Sequence, residues 1–218
     1  MDNKHSLTGF VFNRLREDIL NGKYKENDEL KEMAIAKELN VSRTPVREAI
    51  RQLEFEGLVE SIPNKATYVI GISIKDVKDI YEMRASLERL CAKKAIDNMT
   101  DDIMEKLEEI VDLSMFYNEK GKYDNILELD NRFHELLYEA ANSKMLRHTL
   151  SDFHHYLQRI RHTTLSGETR AKQAVCEHRD ILEAIKSKDT DRAMMLAEQH
   201  IINSINNIER LGLWIEEQ

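Results

Sequence analysis

Apolar residues recur at helical spacing along most of this chain, and the period changes only once. Val11, Leu15 and Ile19 mark one face of a helix predicted from Phe10 to Asn21. A short second helix is predicted over 31–39, followed by a turn at Asn40 and Val41. A third opens at Ser42, a good N-cap, with Val46, Ala49, Ile50 and Leu53 on its apolar side. After Gly57 residues 58–62 and 67–72 read as two strands, joined by the turn PNKA at 63–66. From Ile74 the helical period returns and persists. Its predicted segments are 74–98, a helix capped by Thr100 and running to Lys120, 123–141, 144–165, 168–186, and one from Asp189 to about residue 213. Gly121, Asn142–Ser143 and Ser166–Gly167 mark the breaks, and no proline follows residue 63. The predicted fold is mainly α, with an N-terminal winged helix-turn-helix over 1–73 and a C-terminal antiparallel six-helix bundle over 74–218.

The polar end of the third helix changes this picture from fold to chemistry. Arg43, Thr44 and Arg47 fall in its first turns, and Pro45 fits where an N–H has no helical partner. A cationic helix tip anchored by an apolar face is the arrangement that inserts side chains into a DNA major groove. The wing between the two strands would set Lys65 beside a phosphate. Net charge of −8 looks wrong for a DNA binder until the chain is divided. Residues 1–73 carry 11 Lys+Arg and 12 Asp+Glu, and residues 74–218 carry 21 and 28. The acidity therefore lies in the second part, and DNA binding through a local patch would be strongly salt-sensitive. The competing reading of the first part is a helix-turn-helix used for protein contacts.

In the second part the informative residues are polar ones inside apolar stripes. Asp130 and His134 share a face with Ile126, Phe133 and Leu137, one turn apart. His178 falls among Val175, Leu182 and Ile185, and His200 between Leu196 and Leu211. A single inward histidine is most often a hydrogen-bonded core residue. One carboxylate and three imidazoles together make a donor set for Zn²⁺, Ni²⁺ or another first-row divalent ion. Arg84 lies among Val77, Ile80, Leu87 and Cys91. It either pairs with Glu88 one turn on or grips a ligand carboxylate bidentately. Asn203 lies in a polar seam with His200 and Asn207 and could bond the same ligand. His148, His155 and His162 point away from the stripe of their helix, while His154 and Arg161 flank it. Cys91 and Cys176 form no CxxC and read as small buried hydrophobes. With no signal peptide and no apolar run long enough to span a bilayer, the chain reads as cytoplasmic, without a membrane partner.

LKEMAIAKELNVSRTPVREAIRQLEFEGLVESIPNKATYV resembles the DNA-binding domain of GntR-type bacterial repressors. DNRFHELLYEAANSKML, EHRDILEAIKSKDTDRA and AEQHI are similar to the metal-binding motifs of the FadR-type effector domain, the FCD domain. The likeness implies that Arg43, Thr44, Arg47 and Lys65 touch DNA and that Asp130, His134, His178 and His200 hold the metal. It also implies a homodimer on operator DNA and repression in the usual case; a small carboxylate effector at the metal would then be assisted by Arg84 and Asn203, and with no positioned general base evident the chain is not expected to be an enzyme. Met33 and Ala66 depart from the family, many of whose members carry a basic residue and a glycine there. The six-helix subgroup fits the predicted count better than the seven-helix one. Two other functions remain open at this point: a metal-dependent hydrolase or lyase with an accessory DNA domain, and a pure metal sensor.

Overall fold

Why each segment folds as it does can be followed in a computed structural model that describes residues 6–63, 65–165 and 167–213, with the backbone but not the side chain of Asp124. Contacts divide the chain into two units, Met1–Ser73 and Ile74–Gln218. In the first, α1 (Leu7–Leu20) starts one turn before the predicted Phe10, because Ser6 caps it by accepting from the Gly9 N–H at 3.0 Å. α2 (Glu32–Glu38) and α3 (Arg43–Phe55) form the helix-turn-helix. Asn40 takes a left-handed φ of 52° in the turn between them, a conformation Asn tolerates better than most residues. Val11, Leu15, Val46, Ala49 and Leu53 are at most 1% exposed and lock α1 against α3. Ser42 stands at the N-cap of α3 in extended conformation without a side-chain bond to the helix.

β1 (Val59–Ser61) and β2 (Thr67–Val69) pair antiparallel with Glu60 opposite Tyr68. Both are shorter than predicted. Ile62 and Ile70, assigned to strands by their apolarity, are exposed at the ends and have no ladder partner in this pair. A bridge from Glu29 to Tyr68 adds a third extended segment. Asn64, in the predicted wing turn, lies outside the described residues.

The second unit is helical throughout its described elements: α4 (Ile74–Asn98), α5 (Asp101–Glu119), α6 (Tyr123–Ala140), α7 (Lys144–Tyr156), α8 (Gln158–Leu165), α9 (Glu168–Lys186) and α10 (Thr190–Arg210). Thr100, Ser143 and Asp189 cap α5, α7 and α10 through their side-chain oxygens. Gly121 and Asn142 turn the chain with left-handed φ. The bundle prediction needs one correction: the fourth predicted helix, 144–165, is broken at Leu157, giving seven helical segments among the described residues. The break is local. Leu157 N–H still donates to the Phe153 carbonyl and Arg161 N–H to the Leu157 carbonyl, and no glycine or proline stands there. On its inner side, His154 and Arg161 reach across it to bond each other.

The main core runs through Leu107, Phe133, Leu137, Leu150, Ile181 and Ile185, with a second cluster at Ile80, Tyr81, Leu157, Ile201 and Ile208. On α10 the buried stripe is Ala193, Ala197, His200, Ile201 and Ile208, whereas Leu211 is 49% exposed. Small residues let α10 pack closely on its neighbours, so leucine spacing was the wrong guide there. Cys91 is buried, but Cys176 is exposed. No described helix is long and apolar enough to cross a membrane.

Candidate metal centre and nucleic-acid interface

α6 brings Asp130 and His134 to one face, α9 brings His178 and α10 brings His200, each at most 4% exposed. One donor atom from each of the four lies within 4.8 Å of all the others. A first-row ion with bonds of about 2.1 Å can reach such a set after modest contraction.

Hydrogen bonds outside the cluster orient the ligands. His200 donates from Nδ1 to Glu177 at 2.7 Å, which leaves its Nε2 lone pair facing inward. His134 Nδ1 sits 3.2 Å from Glu88, off the line of a good hydrogen bond, while Arg84 approaches its Nε2 at 3.4 Å. The two Nε2 atoms of His134 and His200 then face each other at 3.3 Å. Two lone pairs so placed repel unless a proton or cation stands between them. His178 Nε2 is buried without a hydrogen bond, 3.5 Å from Asp130 Oδ1. Orphaned nitrogens, an inward carboxylate and outer carboxylates holding the imidazoles fit a metal centre of the carboxylate–histidine type.

Protonation states agree. Burial pushes His200 down to about 4 and holds His178 and His154 well below the ordinary imidazole value. Burial works against ionisation of Asp130, but the Arg161 guanidinium and the neighbouring imidazoles together outweigh it and keep the carboxyl well below the usual range. Glu88 is likewise held low against burial by its contacts with His134, Arg84 and Tyr138. A neutral His178 and His200 beside an ionised Asp130 are in the state that binds a divalent cation.

Beside the four ligands is a cavity lined by Tyr81, Arg84, Arg161, Thr164, Arg170 and Ser204, among others. It is small, about 10 Å³, the space of a single water-sized sphere. Arg84 donates to Glu88 at 3.0 Å, as the local ion-pair reading expected, and it also lines the cavity. Asn203 does not line it. Its amide donates to Glu177 at 2.6 Å, so it braces the carboxylate that holds His200.

Arg170, Glu177 and Ser204 were not foreseen in the site. Arg170 reaches Glu177 at 2.8 Å and Ser204 at 2.9 Å. Arg161 bonds Asp130 through Nη2 and His154 through Nη1. Arg170 and Glu177 are seven residues apart, two turns along one face of α9, and that spacing was a usable signal; His154 and Arg161 have the same spacing but lie on either side of the break between α7 and α8.

In the first unit Arg43, Thr44 and Arg47 stand exposed at the start of α3, and Lys65 is exposed beside β2. Glu32 of α2 accepts from both arginines: Arg47 through Nε and Nη2, each at 3.0 Å, and Arg43 through Nη2 at 2.9 Å. The forked pairing fixes the plane of the Arg47 guanidinium at the helix tip.

Comparison with known proteins bears on both units. Residues 7–69 match the family described as bacterial regulatory proteins, gntR family, and residues 79–203 match the FCD domain. The uncharacterized HTH-type transcriptional regulator YdhC of Bacillus subtilis (strain 168) is 31% identical over 208 residues, spanning 94% of this chain and 91% of that one. The HTH-type transcriptional repressor RspR of Escherichia coli (strain K12) is 28% identical, spanning 95% and 93%. Among solved structures, E. coli McbR/YncC has the same fold, with a TM-score of 0.75 at 22% identity over 95% of this chain and 99% of that one.

Proposed function

This chain belongs to the GntR family of bacterial regulatory proteins and carries an FCD domain, and on that footing we propose that it is a repressor switched by a small carboxylate effector at a divalent metal. It is a DNA-binding transcriptional regulator. The finer reading has α3 entering the major groove of a pseudo-palindromic operator in a homodimer, with Arg43, Thr44 and Arg47 at the bases or phosphates and Lys65 on a phosphate. Repression is supported by the likeness to RspR, a transcriptional repressor.

The observation that carries the metal reading is the convergence of Asp130, His134, His178 and His200 from three helices, with His178 Nε2 left buried and unbonded. Three nitrogens and one oxygen suit Zn²⁺ or Ni²⁺ and leave coordination positions for a ligand. When bound, the metal supplies a Lewis-acidic docking point for a carboxylate. Glu177 holds the His200 imidazole in register, Glu88 stands beside Nδ1 of His134, and Arg84 stands at the cavity wall. Glu177 bonds the outer nitrogen of His200, so it steadies a ligand and is not placed as a general base.

Metal analysis of purified wild type, His134→Ala and His178→Ala tests this together with operator binding by fluorescence anisotropy. One metal per chain is expected in wild type, with loss in both variants, and small carboxylates should release operator only from the loaded protein. Full occupancy in either variant would sink the ligand assignment. Release by metal alone, with carboxylates inert, would point to a metal sensor instead.

A further inference from the structure

Three arginines from three helices, Arg84 of α4, Arg161 of α8 and Arg170 of α9, line the same cavity and are 2%, 5% and 3% exposed. Buried guanidinium groups are costly unless each is matched by an anion. Here each is matched once, Arg84 by Glu88, Arg161 by Asp130 and Arg170 by Glu177. An imidazole that ligates a metal is neutral, so the three guanidinium groups and three carboxylates of this shell cancel. A divalent ion on the four ligands therefore leaves two uncompensated positive charges in a buried space.

We propose that the effector is a short dianion carrying two carboxylates a few bonds apart, one at the metal and the other held by Arg84, Arg161 and Arg170. The inference rests on the metal and carboxylate reading above and specifies its charge. A monocarboxylate would leave one positive charge unpaired, whereas a dianion closes the balance.

A second observation favours arginines that turn to a ligand. His154 is approached by Arg84 Nη2 at its Nε2, 2.5 Å away, and by Arg161 Nη1 at its Nδ1, 2.9 Å away. An imidazole carries at least one N–H, and arginine has only donors. One of these contacts must set donor against donor, so although each guanidinium keeps its own carboxylate partner, one of its N–H groups faces a donor, and an incoming carboxylate would relieve that contact. Arg84 also leans on His134 Nε2 at 3.4 Å, and a metal taking that lone pair would remove this acceptor too. The length of the ligand follows from the same contacts. Arg84, Arg161 and Arg170 each touch a member of the ligand set, so the two anionic groups are held close together. The cavity of about 10 Å³ admits such a molecule only when the guanidinium groups swing aside, which ties binding to movement of α8 or α9 side chains.

The test is a charge series on the full-length, metal-loaded protein, read by thermal shift and titration calorimetry, with metal content measured afterwards. Malonate and succinate are compared with propionate and butyrate of similar size, and with inorganic phosphate. The dicarboxylates are expected to bind at least about tenfold more tightly than their monoanion partners, as an added buried charge pair requires. Arg170→Gln removes one positive charge and should shrink that preference to near unity while metal is retained. If the variant does not fold, the wild-type series decides alone. Equal binding of mono- and dicarboxylates would overturn the dianion while leaving the carboxylate reading intact. Phosphate matching malonate would overturn the two-headed ligand, and no response to any carboxylate would remove both readings.

Discussion

At the scale of single residues, reach and protonation decide what this protein can do. Arg47 presents a guanidinium whose plane is fixed by two bonds to Glu32. Arg47→Ala should weaken operator binding by about 1–3 kcal/mol, or roughly 5- to 150-fold, if it reads a base edge. Metal content should not change, and anisotropy titration beside metal analysis checks both halves. His200 allows a prediction about pH. Its imidazole titrates near 6.5 when unfolded and near 4 in the fold, because burial disfavours the cation. Between those values the unfolded chain binds a proton that the fold refuses, so stability is intact above pH 6.5 and is lost as pH falls towards 4. The loss from this one group is on the order of 3 kcal/mol. Melting of chelator-treated protein should fall across that window, and His200→Gln should flatten part of the fall. A melting curve indifferent to pH over that range would contradict the buried, neutral imidazole. Asp130, His134, His178 and His200 could be picked out in the sequence because a polar residue at a buried helical phase stands out. Arg161 could not, since arginine normally reads as solvated and its carboxylate comes from across the bundle, whereas Arg170 left only the two-turn spacing to Glu177 as a sign.

Elements were legible where a cap or turn residue marks an end. α4 and α9 have the predicted bounds, and Thr100, Ser143 and Asp189 cap the helices they were expected to start or precede. Two element-scale features left no such mark. The regular ladder covers only three residues of each strand, although single backbone bonds from Ile62 to Ala66 and from Ile70 to Leu58 continue beyond it. The break between α7 and α8 contains neither glycine nor proline, and it places His154 and Arg161 on opposite sides of one irregular turn. Leu157, fully buried at the break, packs with Ile80, Tyr81, Ile201 and Ile208. This single side chain ties the irregular turn to α4 and α10. Leu157→Ala should therefore cost about 2–5 kcal/mol by transfer and cavity terms, measured by urea unfolding of the metal-loaded protein. A cost below 1 kcal/mol would mean that the turn is not pinned there.

For the whole molecule, the division of charge and chemistry between the units sets the form of regulation. The exposed cations at α3 and the wing belong to the first unit, and the buried candidate metal ligands and arginines to the second. An effector bound in the second unit can alter operator affinity only if it binds the DNA-free state more tightly than the DNA-bound one. That requirement is reciprocal. A carboxylate that weakens operator binding by some factor must itself be weakened by operator DNA by the same factor, typically 5- to 150-fold for about 1–3 kcal/mol of coupling. The prediction is quantitative and independent of any detailed path between the units. Effector affinity is measured by calorimetry on metal-loaded protein alone and again with saturating operator duplex. Operator affinity is then measured with and without saturating effector, at one salt concentration, because DNA binding through a small cationic patch changes steeply with salt. The two ratios should agree. An effector that lowers operator affinity while its own affinity ignores the duplex would have to act outside this linkage, for instance by stripping the metal, which the metal content of the same samples would reveal. Arg47→Ala sharpens the comparison, since it should weaken DNA binding in both effector states alike and leave the coupling factor unchanged.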